Sequence, residues 1–420
     1  MAVLGVVSEY NPFHNGHKYL FDMACQAEKF DAVVCVMSGN FTQRGEAALF
    51  NKWARAEMAL ASGADLVIEL PFCFAVRSAY YFARGAMQLL QRTGVVTHLA
   101  FGCENNHLPT LQGIAEILSH EPDEFKTSLK RNLSNGLSFP LARSRALQDM
   151  QSPSNHDLHG ALLGPNNILA IEYLRVMQEE NIPFHPIAIK RQGSPYHDTE
   201  VSCLPSATAI RQALIHNADL DSLRSSLPPG SIDIIDRELA NGRKSSGLES
   251  LERSIIMMIR SMSTDQLRSI YEVNDGLEYR IKEAANHSGT LYQLLTQIKS
   301  KRYNMTRISR SMLYILFSLT KDQMQLFDRS GPQYLHLLGF SAKGQKILQV
   351  MKINSRLTIV NRASDMKKLC EESPDPVLSQ MANLDRLATD MYSLLYSNPD
   401  MRKGSLDYTM SPIRTVTSDI

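Results

Sequence analysis

Four unbroken apolar runs constrain this chain more than any other feature. They are Val3–Val7, Asp31–Met37 ("DAVVCVM"), Ala64–Pro71 ("ADLVIELP") and Val95–Gly102 ("VVTHLAFG"). Strands with one wet face alternate apolar and polar residues, whereas continuous Val/Ile/Leu runs are buried on both faces. Between the runs lie helical periods. His17–Lys29 places Leu20, Phe21, Ala24 and Ala27 on one face. Lys52–Ser62 closes at Gly63, and Ser78–Gln91 ends before Gly94. Strand and helix in alternation predict a parallel α/β sheet covered on both sides. Ligands of such sheets bind beyond the C-terminal ends of the strands.

Beyond about Arg211 the texture becomes helical, from "LESLERSIIMMIRSM" to "ANLDRLATDMYSLLYS", with a turn-rich loop at Ala240–Ser250. Clear buried strands are not expected there, and the final dozen residues read as disordered. At 420 residues the chain exceeds one ordinary core. We expect a catalytic α/β unit over 1–215 and a helical unit over 216–420. The net charge is +1, so nucleic-acid binding needs a local basic patch. The six cysteines show no zinc-ligand or redox spacing, which fits reduced thiols in a cytoplasm. No apolar run is long enough for a membrane span.

The first strand ends near Val7, so "SEYNPFHNGHKYL" (Ser8–Leu20) falls at the ligand edge. Pro12 stiffens this loop and Gly16 lets backbone approach a ligand closely. Asn15 is the expected N-cap of a helix beginning near His17. A helix start offers free N–H groups and a positive dipole end, and His14 and His17 add two donors. A polyphosphate there would raise the imidazole pKa values and favour the charged forms. Donors placed at an α-phosphate under attack stabilise its transition state.

"HNGH" (His14–His17) resembles the (H/T)xGH signature of the nucleotidylyltransferase superfamily and follows the first strand, as it does there. "SATAIR" (Ser206–Arg211) is similar to the superfamily's Ser-x-Thr-x-x-Arg element; Ser206 and Thr208 would touch phosphate and Arg211 would neutralise it. Other nucleotide motifs fail. No GxGxxG follows a strand. "GFSAKGQK" (Gly339–Lys346) has Gln345 and Lys346 where a P-loop needs Lys and Ser/Thr, and it reads as lying among helices.

The likeness extends along nearly the whole chain. "GVVSEYNPFHNGHKYL", "VMSGNFTQRGEAALFNKWARAEMALASGADLVIELPF", "FGCEN", "PNNILAIEYL", "GLEYRI", "KRYNMTRISRSMLYIL" and "LGFSAKGQKIL" together resemble the tRNA(Met) cytidine acetate ligase family. The resemblance implies a Rossmann-like nucleotidylyltransferase domain followed by a mainly α-helical C-terminal domain. It implies a cytoplasmic enzyme that uses ATP, with Mg2+, to activate acetate as acetyl-adenylate. The acetyl group then passes to the exocyclic amine of the wobble cytidine of elongator tRNA(Met), giving N4-acetylcytidine. It implies an ATP site comprising Val7, Ser8, Glu9, Tyr10, Asn11, Pro12, Phe13, His14, Asn15, Gly16, His17, Lys18, Tyr19 and Leu20, with Gly102, Asn166 and Arg191. No resident metal site is expected.

The chemistry is compatible. Acetate lacks a good leaving group until it is joined to AMP, so the first task is carboxylate attack at the α-phosphate. The second, attack by a weakly nucleophilic amine, depends on positioning. Gly102 at a strand end would admit adenosine, Asn166 would bond ribose or base, and Arg191 would contact phosphate. Asn166 is equally suited to capping a helix. "MSGNFTQRGE" (Met37–Glu46) also lies at the ligand edge, where Asn40, Gln43 and Arg44 would order acetate or cytidine. Lys52 and Arg55 oppose the dipole of their helix, and Asp65 and Glu69 beside a buried strand are their expected partners.

The segment Lys299–Lys321 holds six cations and no acid, with Tyr303 and Tyr314 interleaved. Lys301, Arg302, Arg307 and Arg310 are the candidate tRNA contacts, opposite an apolar face of Ile308, Met312, Ile315 and Leu319. A solvated helix face is the plainer alternative. Two other functions account for the histidine pair: an adenylyltransferase for a phosphorylated metabolite, and a non-catalytic RNA-binding factor that senses ATP.

Overall fold

The computed structural model describes residues 1–104, 107–150, 164–191, 206–216 and 219–415. Among these residues eight strands form one sheet: β1 Val3–Ser8, β2 Ala32–Ser38, β3 Leu66–Leu70, β4 His98–Cys103, β5 His185–Lys190, β6 Tyr334–Phe340, β7 Thr358–Val360 and β8 Ile413–Arg414. Their order is β5-β4-β1-β2-β3-β6-β7, with β8 on β6. The first five strands are mutually parallel. Val34 and Val36 of β2 enter one core, and Val33, Cys35 and Met37 the other, as expected for strands buried on both faces.

Helices packed on this sheet and around its ends include, in chain order, α1 Asn15–Ala27, α2 Lys52–Ala61, α3 Ala79–Arg92, α4 Pro165–Glu179, α5 Ala207–Ile215, α6 Met305–Leu316, α7 Ala342–Asn354, α8 Ala363–Glu372 and α9 Pro376–Ser393. Predicted and observed boundaries agree closely over the first three strands. The fourth begins later than expected, at His98, and Val95–Val96 precede it.

The expectation that buried strands end near Arg211 is corrected. "YLHLLGF" is a fully buried strand, β6, antiparallel to β3. Its central His336 breaks the apolar run, and Glu69 takes up that ring at 2.6 Å. The two halves of the chain therefore share one sheet. Part of the final dozen residues is ordered too, since Ile413 and Arg414 pair with Gly339 and Phe340. "GFSAKGQK" lies not among helices but at a strand end, where Gly339 and Phe340 close β6 and Ala342 opens α7. That helix start is closed: Ser341 Oγ caps Gly344 and donates to Asp65 at 2.7 Å. A Cβ at Gly344 would lie 1.8 Å from the Asp65 carbonyl oxygen, leaving no room for phosphate.

A buried charge network ties β3, β6, α2 and the C-terminal segment together. The Lys52 ammonium is fully buried, with Glu69 at 2.8 Å and Asp407 at 2.6 Å. Burial pulls its pKa down, but the two carboxylates outweigh this and hold it up. Glu69 is lowered: burial opposes ionisation, and Lys52 and His336 overcome it. Among the described residues, Glu69, His336 and Asp407 form a grouping of metal-ligand type. Lys52 supplies its cation. The expected Lys52–Glu69 pair thus exists. Asp65 instead accepts from Val33 N and Ser341 Oγ, and Arg55 finds carbonyls.

Candidate active site

The cleft lies where β1, β4 and β5 end, has a volume of about 610 Å³, and includes His14 and His17. Its position follows from the parallel sheet, whose strand ends leave a crevice where helices depart. Strand β1 runs into Glu9 and Tyr10. Tyr10 is buried with φ 44°, an uncommon backbone for a bulky residue. Its ring meets Phe13 and, edge-on, His17 with centroids 4.9 Å apart. These contacts hold the turn that delivers His14 to the helix start.

The N-cap of α1 is His14, not Asn15. His14 Nδ1 accepts the Gly16 N–H at 3.0 Å, and His17 Nδ1 accepts the His14 N–H at 3.2 Å. This is a capping box built from imidazoles. Asn15 instead donates its side-chain amide to the Ser225 carbonyl. The first N–H groups of α1 are all engaged, including Asn15 N on Ser226 O and His17 N on His14 O. The expected free N–H groups are therefore absent from this start. Each ring takes a backbone N–H on Nδ1, which requires the neutral tautomer with its proton on Nε2. The imidazoles relay the donor character of the helix start.

Electrostatics agree with this assignment. Burial, then the charges of Arg191 and Arg211, lowers the His14 pKa to about 3. Burial, then His14 and Arg191, lowers His17 as well. Without a polyanion the pair is neutral, so the charged form anticipated above depends on one arriving. Both rings remain donors through Nε2.

The rest of the segment divides cleanly. Val7, Ser8, Glu9, Tyr10, Asn11, Gly16, Tyr19 and Leu20 line the cleft with the histidines, whereas Pro12, Phe13, Asn15 and Lys18 do not. Phe13 is core, and Lys18 pairs with Asp22 on the surface. Arg55, fully buried, fixes the floor. It donates to the carbonyls of Glu9 at 2.6 Å, Phe50 at 2.9 Å and Ser38 at 3.1 Å, and also to Gly39. It thereby joins the ends of β1 and β2. Burial lowers its pKa to about 10, still cationic at neutral pH.

Gly102, Asn166, Arg191 and Arg211 all reach the cleft. Arg191 donates to Asn166 Oδ1 at 2.8 Å, and Asn166 Nδ2 donates to Glu104 Oε1 at 2.6 Å. Glu104 also accepts the backbone N–H groups of Asn166 and Asn167, so its carboxylate holds the start of α4. Each end of the Asn166 amide thus makes one bond to a protein group, and the bond from Arg191 ties that guanidinium to the start of α4. Sequence reasoning passed over Glu104, although a carboxylate just past a strand end was a usable signal. Arg211 donates to the Asn11 carbonyl at 3.0 Å. Ser206 is buried and caps α5 through Ala209 N; it does not line the cleft.

In the loop after β2, Gln43 and Arg44 line the cleft, and Asn40 does not. Asn40 is 3% exposed and bonds Lys52 N and Thr389 Oγ1, so it is a structural residue. Glu9 accepts the Gln43 N–H at 2.7 Å, and burial raises its pKa. Gly45, at φ +80°, packs on α6, where a Cβ would lie 2.5 Å from Arg310 N. This packing brings Asn304, Thr306 and Arg310 from the second half into the cleft wall. No local pattern announces them.

The supposed basic face of α6 is largely engaged. Arg310 is buried against Glu272 at 3.0 Å, and Arg307 donates to Glu272 O and Asn274 Oδ1. Tyr314 is core, its hydroxyl on the Val76 carbonyl, and Tyr303 is buried. Ile308, Met312, Ile315 and Leu319 form the expected apolar face. Only Lys301 and Arg302 of the four candidates are exposed. Burial raises all five described thiols, Cys25, Cys35, Cys73, Cys103 and Cys370, above the ordinary value. Cys203 lies outside the described residues.

A family model described as HIGH Nucleotidyl Transferase matches residues 1–407. The tRNA(Met) cytidine acetate ligase of Syntrophomonas wolfei is 58% identical over 98% of this chain and 99% of its own length. That of Halothermothrix orenii is 40% identical over 99% and 100%. The chain belongs to the tRNA(Met) cytidine acetate ligase family. Its fold is that of the family: the crystal structure of Thermotoga maritima TmcAL, apo form I, matches with a TM-score of 0.94 at 38% identity, covering 99% of this chain and 100% of that one. TmcAL bound with alpha-thio ATP matches at 0.92 with the same identity and coverage. Among the described residues of this family member, no helix is long and apolar enough to cross a membrane.

Proposed function

We propose that this protein is an ATP-dependent tRNA(Met) cytidine acetate ligase, acting in the cytoplasm where its RNA substrate resides. The observation that carries the reading is the imidazole capping box, His14 with His17, at the cleft edge of β1. Family membership and the ATP analogue named for the T. maritima relative support it.

In the first step an acetate oxygen attacks the α-phosphorus, the bond to the pyrophosphate oxygen breaks, and acetyl-adenylate forms. Negative charge grows on non-bridging and leaving oxygens. His14 and His17 offer preset Nε2–H donors there, while Arg191 and Arg211 supply positive charge. Asn166 and Glu104 keep Arg191 aimed. Gly102 leaves room beside Leu20 and Arg191, where a Cβ would come within 3.3 Å of Arg191 Cγ. Mg2+ would enter as the counterion of the triphosphate and offset charge on it; Glu9 and Glu46 are cleft carboxylates of suitable chemistry.

In the second step the cytidine amine attacks the acetyl carbon and AMP leaves. Gln43, Arg44 and Arg310, brought together by the packing of Gly45 on α6, are the groups we assign to ordering acetate and the entering base. Arg310 thereby moves from an RNA backbone contact to a cleft residue. Lys301 and Arg302 remain as backbone contacts.

Acetate-dependent exchange of pyrophosphate into ATP, without RNA, tests the first step. Mass spectrometry of tRNA nucleosides after incubation with ATP and acetate tests the second. Exchange that required a phosphate monoester instead would establish an adenylyltransferase. ATP binding with no exchange under any condition would establish a sensor.

A further inference from the structure

The cations most available to a polyanion lie elsewhere than on α6. Residues 342–368 contain seven basic side chains and one acid, Asp365. Outside this stretch the chain has 37 basic and 42 acidic residues, a net charge of −5. The stretch thus carries a net +6, equal to that of Lys299–Lys321, and the two segments differ in how far their cations are already paired. All seven cations are exposed: Lys343, Lys346 and Lys352 on α7, Arg356 and Arg362 flanking β7, and Lys367 and Lys368 on α8. Among the described residues, only Lys367 of these has a carboxylate within ion-pair distance, Glu371 at 4.0 Å. On α6, by contrast, Glu272 takes Arg310 and contributes a carbonyl to Arg307.

We infer that the face formed by α7, the edge strand β7 and the start of α8 docks the phosphate backbone of the RNA substrate. The inference rests on the function proposed above. Charge complementarity selects the occupant, because unpaired cations spread over several elements suit a phosphate track. Exposed Gln345, Gln349 and Thr358 interleave them, supplying uncharged partners for sugar and phosphate oxygens. A membrane surface is disfavoured. The apolar residues of α7, Ile347, Leu348 and Met351, are buried in the protein, and Ile353 is its one large apolar residue facing outward. Protection of the β7 edge against strand pairing needs only a charge or two beside it. It does not explain cations on both flanking helices.

The test compares the full-length protein with the triple variant Lys346→Ala/Arg356→Ala/Arg362→Ala. A control removes equal charge at the exposed Lys29, Lys126 and Lys130. Binding to unmodified tRNA(Met) is measured across salt concentrations, with RNA-free, acetate-dependent pyrophosphate exchange as the check on the cleft. The triple variant should bind tRNA at least ~10-fold more weakly, with the salt slope reduced by about 2 to 3, and exchange should be unchanged. Equal affinity and slope in variant and wild type would overturn the inference, as would an equal loss in the control. So would a loss confined to phosphatidylglycerol vesicles. Failure of the underlying function would look different: the wild-type protein would itself show no acetate-dependent exchange and no acetylation of tRNA.

Discussion

Gly16 stands directly against the His14 ring: a Cβ there would lie 2.7 Å from Cε1 and 3.0 Å from Nδ1. Contacts below 3 Å force something to move, and here the mover is the imidazole whose Nδ1 caps the Gly16 N–H. The glycine is required by packing on the ring, since its φ is not among the positive values. Gly16→Ala should displace His14 and lower acetate-dependent exchange roughly 10²-fold, the cost of one misplaced donor. The melting temperature should change little. Full exchange activity in this variant would show that the ring tolerates displacement.

His17→Ala removes one Nε2–H donor and the acceptor for the His14 N–H. Exchange should fall about 10²-fold or more. His17→Asn, which keeps an amide donor at shorter reach, should recover part of that loss. Equal rates in His17→Ala and wild type would remove His17 from the transition state.

The histidine pair predicts a definite pH response. His14 has a folded pKa of about 3, below the ordinary 6.5. Between these values the unfolded chain binds a proton that the native protein does not. Stability contributed by the neutral ring is therefore complete above about pH 6.5 and declines as pH falls toward 3. His17 is lowered too and acts in the same direction. The ligand-free protein should lose denaturation free energy on acidification from pH 7 to 5, and His14→Gln should flatten the decline. A bound triphosphate opposes the shift, so ATP binding near pH 6 should be accompanied by proton uptake. Calorimetry in buffers of different ionisation enthalpy measures this, and zero uptake would mean that the rings stay neutral Nε2–H donors with the triphosphate bound.

Glu104 predicts an effect transmitted through its neighbours. Its carboxylate holds the Asn166 amide, which holds Arg191. Glu104→Ala should raise KM for ATP about tenfold with a smaller effect on kcat, while Asn166→Ala should act similarly and non-additively. Additive effects in the double variant would separate the three residues.

The sheet and the histidine cleft were legible in the sequence because their signals are local. An unbroken Val/Ile run reports burial on both faces, and Gly16 between His14 and His17 reports a tight helix start. Capping preferences favour Asn15 and do not anticipate an imidazole, that of His14, capping through Nδ1. Strand β6 was hidden by His336, whose polarity is cancelled by Glu69, 267 residues away in the chain. Asn40 and Arg310 looked like a loop ligand and a surface cation. Tertiary partners, Lys52 and Thr389 for one and Glu272 for the other, decide that the first is structural and the second enters the cleft wall.

Lys52 gives the last prediction, and it concerns stability. Its ammonium lies between Glu69 and Asp407 with no exposure, and His336 completes the cluster. Lys52→Met keeps the volume and removes the charge, leaving two buried carboxylates without their counter-ion. Breaking a buried pair from one side costs about 3 to 5 kcal/mol, because the remaining charge stays desolvated. Glu69→Gln should cost less, since Lys52 retains Asp407. The lowered Glu69 pKa means its contribution is present above the ordinary carboxylate value and is lost as pH falls through the folded one. Denaturant titrations at pH 7 should therefore show a large loss for Lys52→Met, and that loss should shrink as pH falls and the stranded carboxylates take up protons. A loss that stayed constant down to pH 4 would show that packing around the lysine stem, rather than charge, holds α2 to the sheet.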